Sequence, residues 1–568
     1  MMNAATQLLW VAEARHLCIL ASPIILTYLL SISIQLTTQV IVGHVSSDAL
    51  AAAALATMFA HSFGLSVILG TASALDTLCS QAFGARNYHR VGQVAYLGCM
   101  VGLALCAAVG VAWYALAGPF FGLMGQDGEI AQLSTHYLRL LLFGLPAQTL
   151  FETLKKPLTS ANLPLVPLLF SAQGLLCAGT LGYLFVYHTP LSLWGAPIAA
   201  AISQWLCLVS LVLYLRNHRW LHAQVGLPPG GEGGQAEGAG APAAAPAAVV
   251  EGGREDERAG KAQGGLAAQS SSPADLDSAV CVLPLEGAGA AGAAAGAAQG
   301  PADSAPAPAA VVVEPLHPPY HDLLDQLFPM PNLEVCTVAA LREYLVLGGP
   351  GALMLFVEWG SYEGLTLIAG SISKKVLSSQ AIMSSTATLS FMPFLGLSVA
   401  CCIRVGNFLG ELKPQEAQRS YHVTLAICLA LVAFNTLIVL SGRSIWARLF
   451  TDDEVVTSMV AEAMFLLATY TLFDGIQCVS TGALRGVSLP GPAAAINVLS
   501  YLGVGLPLAF LLSTTQYGLG MGLAGIWLGF CAAVLVAALC MTVYLTRTDW
   551  EDKAVQAHKS GKTAFGGH

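Results

Sequence analysis

The chain has 568 residues, of which 55% are hydrophobic and only 10% charged. Soluble domains carry about 25% charged residues, so this composition excludes a soluble globular protein and calls for many membrane spans. Much of the formal net charge of −9 lies in one polar insert and the tails; with no basic domain or basic arm, nucleic-acid binding is excluded as well.

The opening stretch, "MMNAATQLLWVAEARHLCIL", lacks the charged start, apolar core and small-residue cleavage site of a signal peptide, and is too short and too poor in Arg and Ser for a transit peptide. Residues 1–16 are therefore expected to form a cytoplasmic tail, with the first membrane helix acting as an uncleaved targeting signal. Apolar segments of spanning length follow at about 17–43, 49–75, 94–117, 131–154, 164–187 and 192–215. Six more run over about 342–370, 376–403, 422–441, 456–482, 494–513 and 519–545. The expected fold is an all-α integral membrane protein, with twelve transmembrane helices in two pseudo-symmetric six-helix lobes. The N-lobe occupies 17–221, the C-lobe 336–546, and residues 547–568 form a second cytoplasmic tail.

Between the lobes, residues 222–335 are different material. Runs such as "GAGAAGAAAGAAQGPADSAPAPAA" have no periodicity and too little apolar area to offset chain entropy, which predicts a disordered linker. Its end, "HPPYHDLLDQLFPMPNLEVC", regains Leu and Phe and is a candidate docking segment. The serines of "QSSSP" read as solvated linker rather than as a phosphorylation site.

The two sets of six helices repeat one another. Gly43-His-Val-Ser46-x-x-x-Leu50 is followed at Gly84 by "GARNYHR", and Gly370-Ser-Ile-Ser373-x-x-x-Leu377 is followed at Gly410 by "GELKPQE". The glycine-to-glycine intervals are 41 and 40 residues; further on, Asp127 answers Asp453 and Gly195 answers Gly525. A repeat with an even number of spans gives two parallel lobes related by an axis along the membrane normal. Short-loop Lys and Arg collect on one side (Arg86, Arg90, Lys155, Lys156, Arg404, Lys413, Arg485). Both termini and the linker are accordingly expected to be cytoplasmic.

Three acids stand deep within apolar spans. Glu358 is near the middle of the seventh and Asp474 near the middle of the tenth, neither with Lys or Arg within helical reach on its own helix. A carboxylate at bilayer depth costs a few kcal/mol or more, so such a group marks function by default. If water reaches it, it is a proton carrier; the alternative is a neutral acid bonding a neighbouring helix. Glu363, five residues past Glu358, points about 140° away around the helix, at roughly 100° per residue. It shares a site with Glu358 only if the cavity is broad; otherwise it bonds a helix of its own lobe.

The N-lobe has no answering acid. Its first helix offers Gln35, Thr38 and Gln39 as neutral cavity groups, or as polar helix–helix contacts. Asp76 reads as a structural anchor, and Glu152 as the surface partner of Lys155 and Lys156. Trp359, Tyr362 and Phe391 are either aromatic walls for a planar cation or ordinary membrane-core packing. Fourteen cysteines show no C-x-x-C or metal spacing, so no disulfide framework and no metal site is expected. There is no phosphate-binding G-x-x-x-x-G-K-[ST] motif, nucleophile elbow or catalytic set, which leaves an ion gradient as the energy source and predicts neither an enzyme nor a cofactor.

"GTASALDTLCSQAFGARNYHRVGQ" (70–93), "EWGSYEGLTLIAG" (358–370), "CCIRVGNFLGELKPQEAQR" (401–419) and "FDGIQCVSTGALRGV" (473–487) resemble the multidrug and toxic compound extrusion family, its eukaryotic branch in particular. The resemblance covers about 16–220 and 340–550. It implies a secondary antiporter that expels organic solutes in exchange for protons by rocking two six-helix lobes. It also ties the acids matching Glu358 and Asp474 to ion coupling, and a third acid matching Glu363 occurs in animal and plant members. Bacterial members carry an aspartate where this chain has Thr38, so coupling is expected to rest on the C-lobe. The long insert is not a family feature. The expected partners are a small organic solute, cationic or amphipathic to judge from the acids, a proton (or Na⁺, which two carboxylates and Gln477 could hold) and the lipid bilayer around a monomer. A sodium-coupled exporter and a lipid-linked precursor flippase are the alternatives; the latter needs a cationic cavity. The membrane of residence is the plasma or vacuolar membrane.

Overall fold

The computed structural model describes residues 4–123, 128–225, 327–328, 336–451, 453–516 and 518–563. The linker lies almost wholly outside these residues, as do Asp127 and Asp452. Long apolar runs become helices because a bilayer has no water to satisfy backbone N–H and C=O groups. The N-lobe comprises α1 (Ala4–Gly43), α2 (Asp48–Gly84), α3 (Tyr88–Leu123), α4, α5 (Leu165–His188) and α6 (Gly195–Val225). The C-lobe comprises α7 (Val338–Ile372), α8 (Lys374–Gly410), α9 (Pro414–Trp446), α10 (Glu454–Gly486), α11 (Pro490–Ser513) and α12 (Gly522–Thr546).

Eleven helices among the described residues are long and apolar enough to span a membrane. The twelfth expected segment, α4, is helical in two pieces, Gly128–Leu141 and Leu145–Ser160. Pro146 causes the break: it has no N–H to donate to the previous turn and it disfavours helical geometry in the residue before it. Helix also extends into both expected tails. α1 starts at Ala4, and a further amphipathic helix, α13 (Trp550–Lys562), follows α12.

Both repeat landmarks have a structural job. Gly43 and Gly370 sit at the α1/α2 and α7/α8 elbows, where Ser46 and Ser373 cap the next helix by accepting from Ala49 N (3.0 Å) and Val376 N (3.2 Å). The leucines complete the elbow: Leu50 and Leu377 lie over Gly43 and Gly370. The second landmark is where the lobes meet. A Cβ on Gly84 would overlap the Asn407 carbonyl, and one on Gly410 would overlap the carbonyl of Gln81. Asn407 precedes Gly410 by three residues, as Gln81 precedes Gly84, so the two helix ends cross reciprocally. After each crossing the chain turns through a left-handed residue, Arg86 (φ 57°) and Leu412 (φ 61°). Asn162 (φ 61°) and Ser488 (φ 60°) repeat the device at the ends of α4 and α10. Each allows a six-residue C-cap, with Asn87 N donating to Ala82 O and Lys413 N to Phe408 O, both at 2.9 Å.

The end carrying Gly84 and Gly410, the basic end, is held by more than backbone packing. Asp76 on α2 is fully buried, and its Oδ2 takes Lys156 of α4 at 2.8 Å and Arg485 of α10 at 3.5 Å. Arg404 of α8 grips Glu13 of α1 with two bonds, at 2.6 and 3.1 Å. The structure therefore amends the surface-pair reading. Glu152 does pair with Lys155 (2.5 Å), but both lysines are buried, and Lys156 turns to Asp76, 80 positions earlier. A buried ammonium needs a desolvated anion, and Asp76 is that anion.

α13 lies across this same seam. His558 Nδ1 contacts Gly410 O at 2.6 Å, while Asn87 Nδ2 donates to Gly561 O at 3.1 Å and Arg90 donates to Thr563 O. Ser560 donates to Glu343 at 3.1 Å, which Arg90 also holds, at 2.7 Å. From the candidate docking segment, Leu327 is fully buried in an apolar cluster that joins N-lobe residues such as Phe83 to Tyr344 of α7.

Candidate functional site: cavities between the lobes

α7 reaches the site because it leans on the opposite lobe. Gly351 packs onto Gly70 of α2 so closely that a Cβ on either would overlap the other helix's backbone. Beyond this crossing, residues of the two helices line a cavity of about 290 Å³. Its C-lobe wall holds Glu358, Trp359, Tyr362, Glu363 and Phe391; its N-lobe wall holds Gln35, Gln39, His61 and Ser62.

Despite their angular separation, Glu358 and Glu363 line one cavity, because it wraps around the exposed flank of α7. Glu358 is 8% exposed. Glu363 accepts a hydrogen bond from Ser62 Oγ at 3.2 Å, so its partner lies on the opposite lobe rather than on a helix of its own. Ser62 is presented by a π-helical turn, His61–Leu65, inside α2. Such single π-turns alter which way consecutive side chains face, and they recur at functional sites.

A second cavity of about 270 Å³ is lined mostly by the N-lobe, with Trp359, Met392 and Leu395 of the C-lobe on one side. Gln35, Thr38 and Gln39 line it with Ser31, Gln148 and Glu152. Thr38 spends its donor on its own helix, bonding Ile34 O at 2.9 Å.

Asp474 is on neither cavity wall. It is 1% exposed, and neither carboxylate oxygen makes a hydrogen bond of normal geometry. It lies in an aromatic layer of the C-lobe. There Tyr362 and Tyr470 share a 2.6 Å hydroxyl contact, and Tyr470 stacks on Phe530 at 5.5 Å. Gln477 is also off both walls: it accepts from Tyr501 (3.1 Å) and donates to Asn497 (3.3 Å) in the C-lobe interior. The structure thus gathers Glu358, Glu363, Trp359, Tyr362 and Phe391 with Gln35 and Gln39, sets Thr38 in the adjoining cavity, and keeps Asp474 and Gln477 behind the wall.

Sequence reasoning passed over four residues here. The repeat spacing leads from Glu358 to Ser31 (327 positions) and from Asp474 to Gln148 (326 positions), and both line the N-lobe cavity. Applying the spacing to the acids would have found them. For His61 and Ser62 no such signal exists, since nothing in "MFAHSFGLSV" marks a π-turn.

The MatE family model matches residues 23–184 and again 350–511. The chain belongs to the MatE family. The two matches begin 327 residues apart, the spacing of Gly43 and Gly370, so the MatE unit is the repeat itself. Protein DETOXIFICATION 17 of Arabidopsis thaliana is 25% identical over 95% of this chain and 90% of its own length. Multidrug and toxin extrusion protein 2 of Pongo abelii is 26% identical, over 95% of this chain and 77% of its own. A crystal structure of a eukaryotic MATE transporter superposes with a TM-score of 0.75 at 22% identity, covering 97% of this chain and all of that one, which shows the shared fold. The chain is therefore a multi-pass membrane protein of a MatE transporter family.

Proposed function

We propose that this chain is a secondary antiporter that exports small organic solutes, cationic or amphipathic, in exchange for protons. The observation that carries the reading is the arrangement of acids: Glu358 on the cavity wall, with Asp474 fully buried in the aromatic layer of the same lobe. A carboxylate that binds a proton cannot at the same moment act as counter-ion to a cation, so competition at Glu358 enforces exchange. Two relatives are named for multidrug and toxin extrusion and for detoxification, which supports a small-molecule substrate.

Exchange requires alternating access. The basic end, taken as cytoplasmic from its Lys and Arg content, is closed by the Gly84–Gly410 crossing and the Asp76 ion cluster. Rocking the lobes apart there, while closing them at the other end, carries the cavity from one side to the other. A phosphate-bearing lipid precursor suits this cavity poorly, because no Lys or Arg is among its lining residues.

The test uses proteoliposomes with wild type and Glu358→Gln, following tetraethylammonium under an imposed pH gradient and then under a sodium gradient. We expect pH-driven movement in wild type and its loss in the variant. Movement driven by sodium alone would transfer the coupling to Na⁺. Movement that ignores both gradients, or survives the substitution, would overturn the reading.

A further inference from the structure

The two cavities share a wall. Ile32, Gln35, Gln39, His61, Trp359 and Met392 line both, so the two cavities adjoin along these residues. Four of the six, Ile32, Gln35, Gln39 and Met392, carry no aromatic ring. The other two are a pair: His61 of α2 and Trp359 of α7 meet edge to face, with centroids 5.8 Å apart and rings at 87°, across the boundary between the lobes. The π-turn makes this possible. It delivers three consecutive residues to α7, His61 to Trp359, Ser62 to Glu363 (3.2 Å) and Phe63 to Phe356 (6.1 Å). Consecutive residues of a regular α-helix fan out by about 100° each and would not all face one neighbour.

Size gives this boundary its meaning. Pockets for drug-sized ligands run from roughly 300 to 1,000 Å³. Each chamber, at about 290 and about 270 Å³, lies at the floor of that range. Either alone takes a small solute; a larger one needs both, and then the His61–Trp359 contact must open. Since its rings belong to different lobes, relative motion of the lobes separates them.

We propose that His61 is a specificity-determining residue: with Trp359 it forms a cross-lobe aromatic septum that sets the size limit for solutes. The inference rests on the transport reading above. Neither partner's charge enters it; ring bulk and the edge-to-face contact are what matter. Truncating His61 merges the chambers, and enlarging it seals them.

The experiment compares two cations of different size, tetraethylammonium and ethidium, in proteoliposomes under one pH gradient, for wild type, His61→Ala and His61→Trp. The readout is the ratio of ethidium to tetraethylammonium initial rates, which is unaffected by a loss of folded protein because that lowers both rates together. We expect His61→Ala to raise the ratio by about tenfold, the scale of discrimination that a small change of volume in a pocket provides, and His61→Trp to lower it. An unchanged ratio in both variants, with wild type still driven by the pH gradient, overturns the septum while leaving the antiporter reading standing. Wild type that moves neither cation in response to the gradient overturns both.

Discussion

The two lobes are built alike and equipped differently. Elbow caps, left-handed turns and the reciprocal glycine crossing recur at spacings of 326 or 327 residues. At the same spacing, Glu358 and Asp474 of the C-lobe become Ser31 and Gln148 in the N-lobe. The helices differ as well. α10 runs unbroken through Tyr470, where α4 breaks at the corresponding Gly144, and the intact turn holds Asp474 one turn beyond Tyr470. In the other direction, the N-lobe holds the buried Lys156 where the C-lobe has Gly482, packed onto Ser398. A duplicated fold preserves what positions the helices; the polar groups facing the cavity are free to diverge.

The sharpest break in the comparison is functional. Glu358→Gln should reduce pH-driven export to background, whereas Ser31→Ala, its positional counterpart, should leave most of it; transport by the two variants in the same vesicles checks this. Next in size is Lys156→Met, which leaves the fully buried Asp76 with only Arg485 at 3.5 Å. Removing one partner of a buried pair costs about 3–5 kcal/mol, so a large fall in thermal midpoint is expected, and a midpoint within a degree of wild type would remove the cluster from the account of the seam. Gly84→Ala and Gly410→Ala should each cost about 1–3 kcal/mol through overpacking. Equal losses would sharpen the reciprocity of the crossing, and a loss at one site only would break it. Smallest are Ser46→Ala and Ser373→Ala, expected to lower stability by about 1 kcal/mol apiece by removing matched N-caps, measured as small, similar shifts in detergent melts.

What was legible in the sequence follows from range. The spans, the repeat and the glycine landmarks are local patterns or fixed offsets; eleven of the twelve expected spans are long apolar helices among the described residues, and the glycines recur at the elbows and the crossing. The break in α4 was also written locally, in "FGLPAQ", as a Gly and a Pro inside a polar-rich span. The burial of Lys155 and Lys156 was not, because the partner that makes an interior ammonium tolerable, Asp76, is 80 positions away. Helical spacing said that Glu358 and Glu363 diverge, but not that the cavity curves around both. Nor could it say that Asp474 would face the aromatic layer instead of the wall, since that depends on where α10 presses against α12. The π-turn at His61–Leu65 has no compositional mark at all; packing against α7 decides it.

α13 has a mechanical consequence. It is a short rod with handholds on both halves, His558 on Gly410 and, on the other side, Gly561 and Thr563 held by Asn87 and Arg90. A stiff helix cannot stretch as the halves part. Under the proposed antiport, a gap that opens beneath it has to break the bonds on one side, which would make α13 a catch on the basic end.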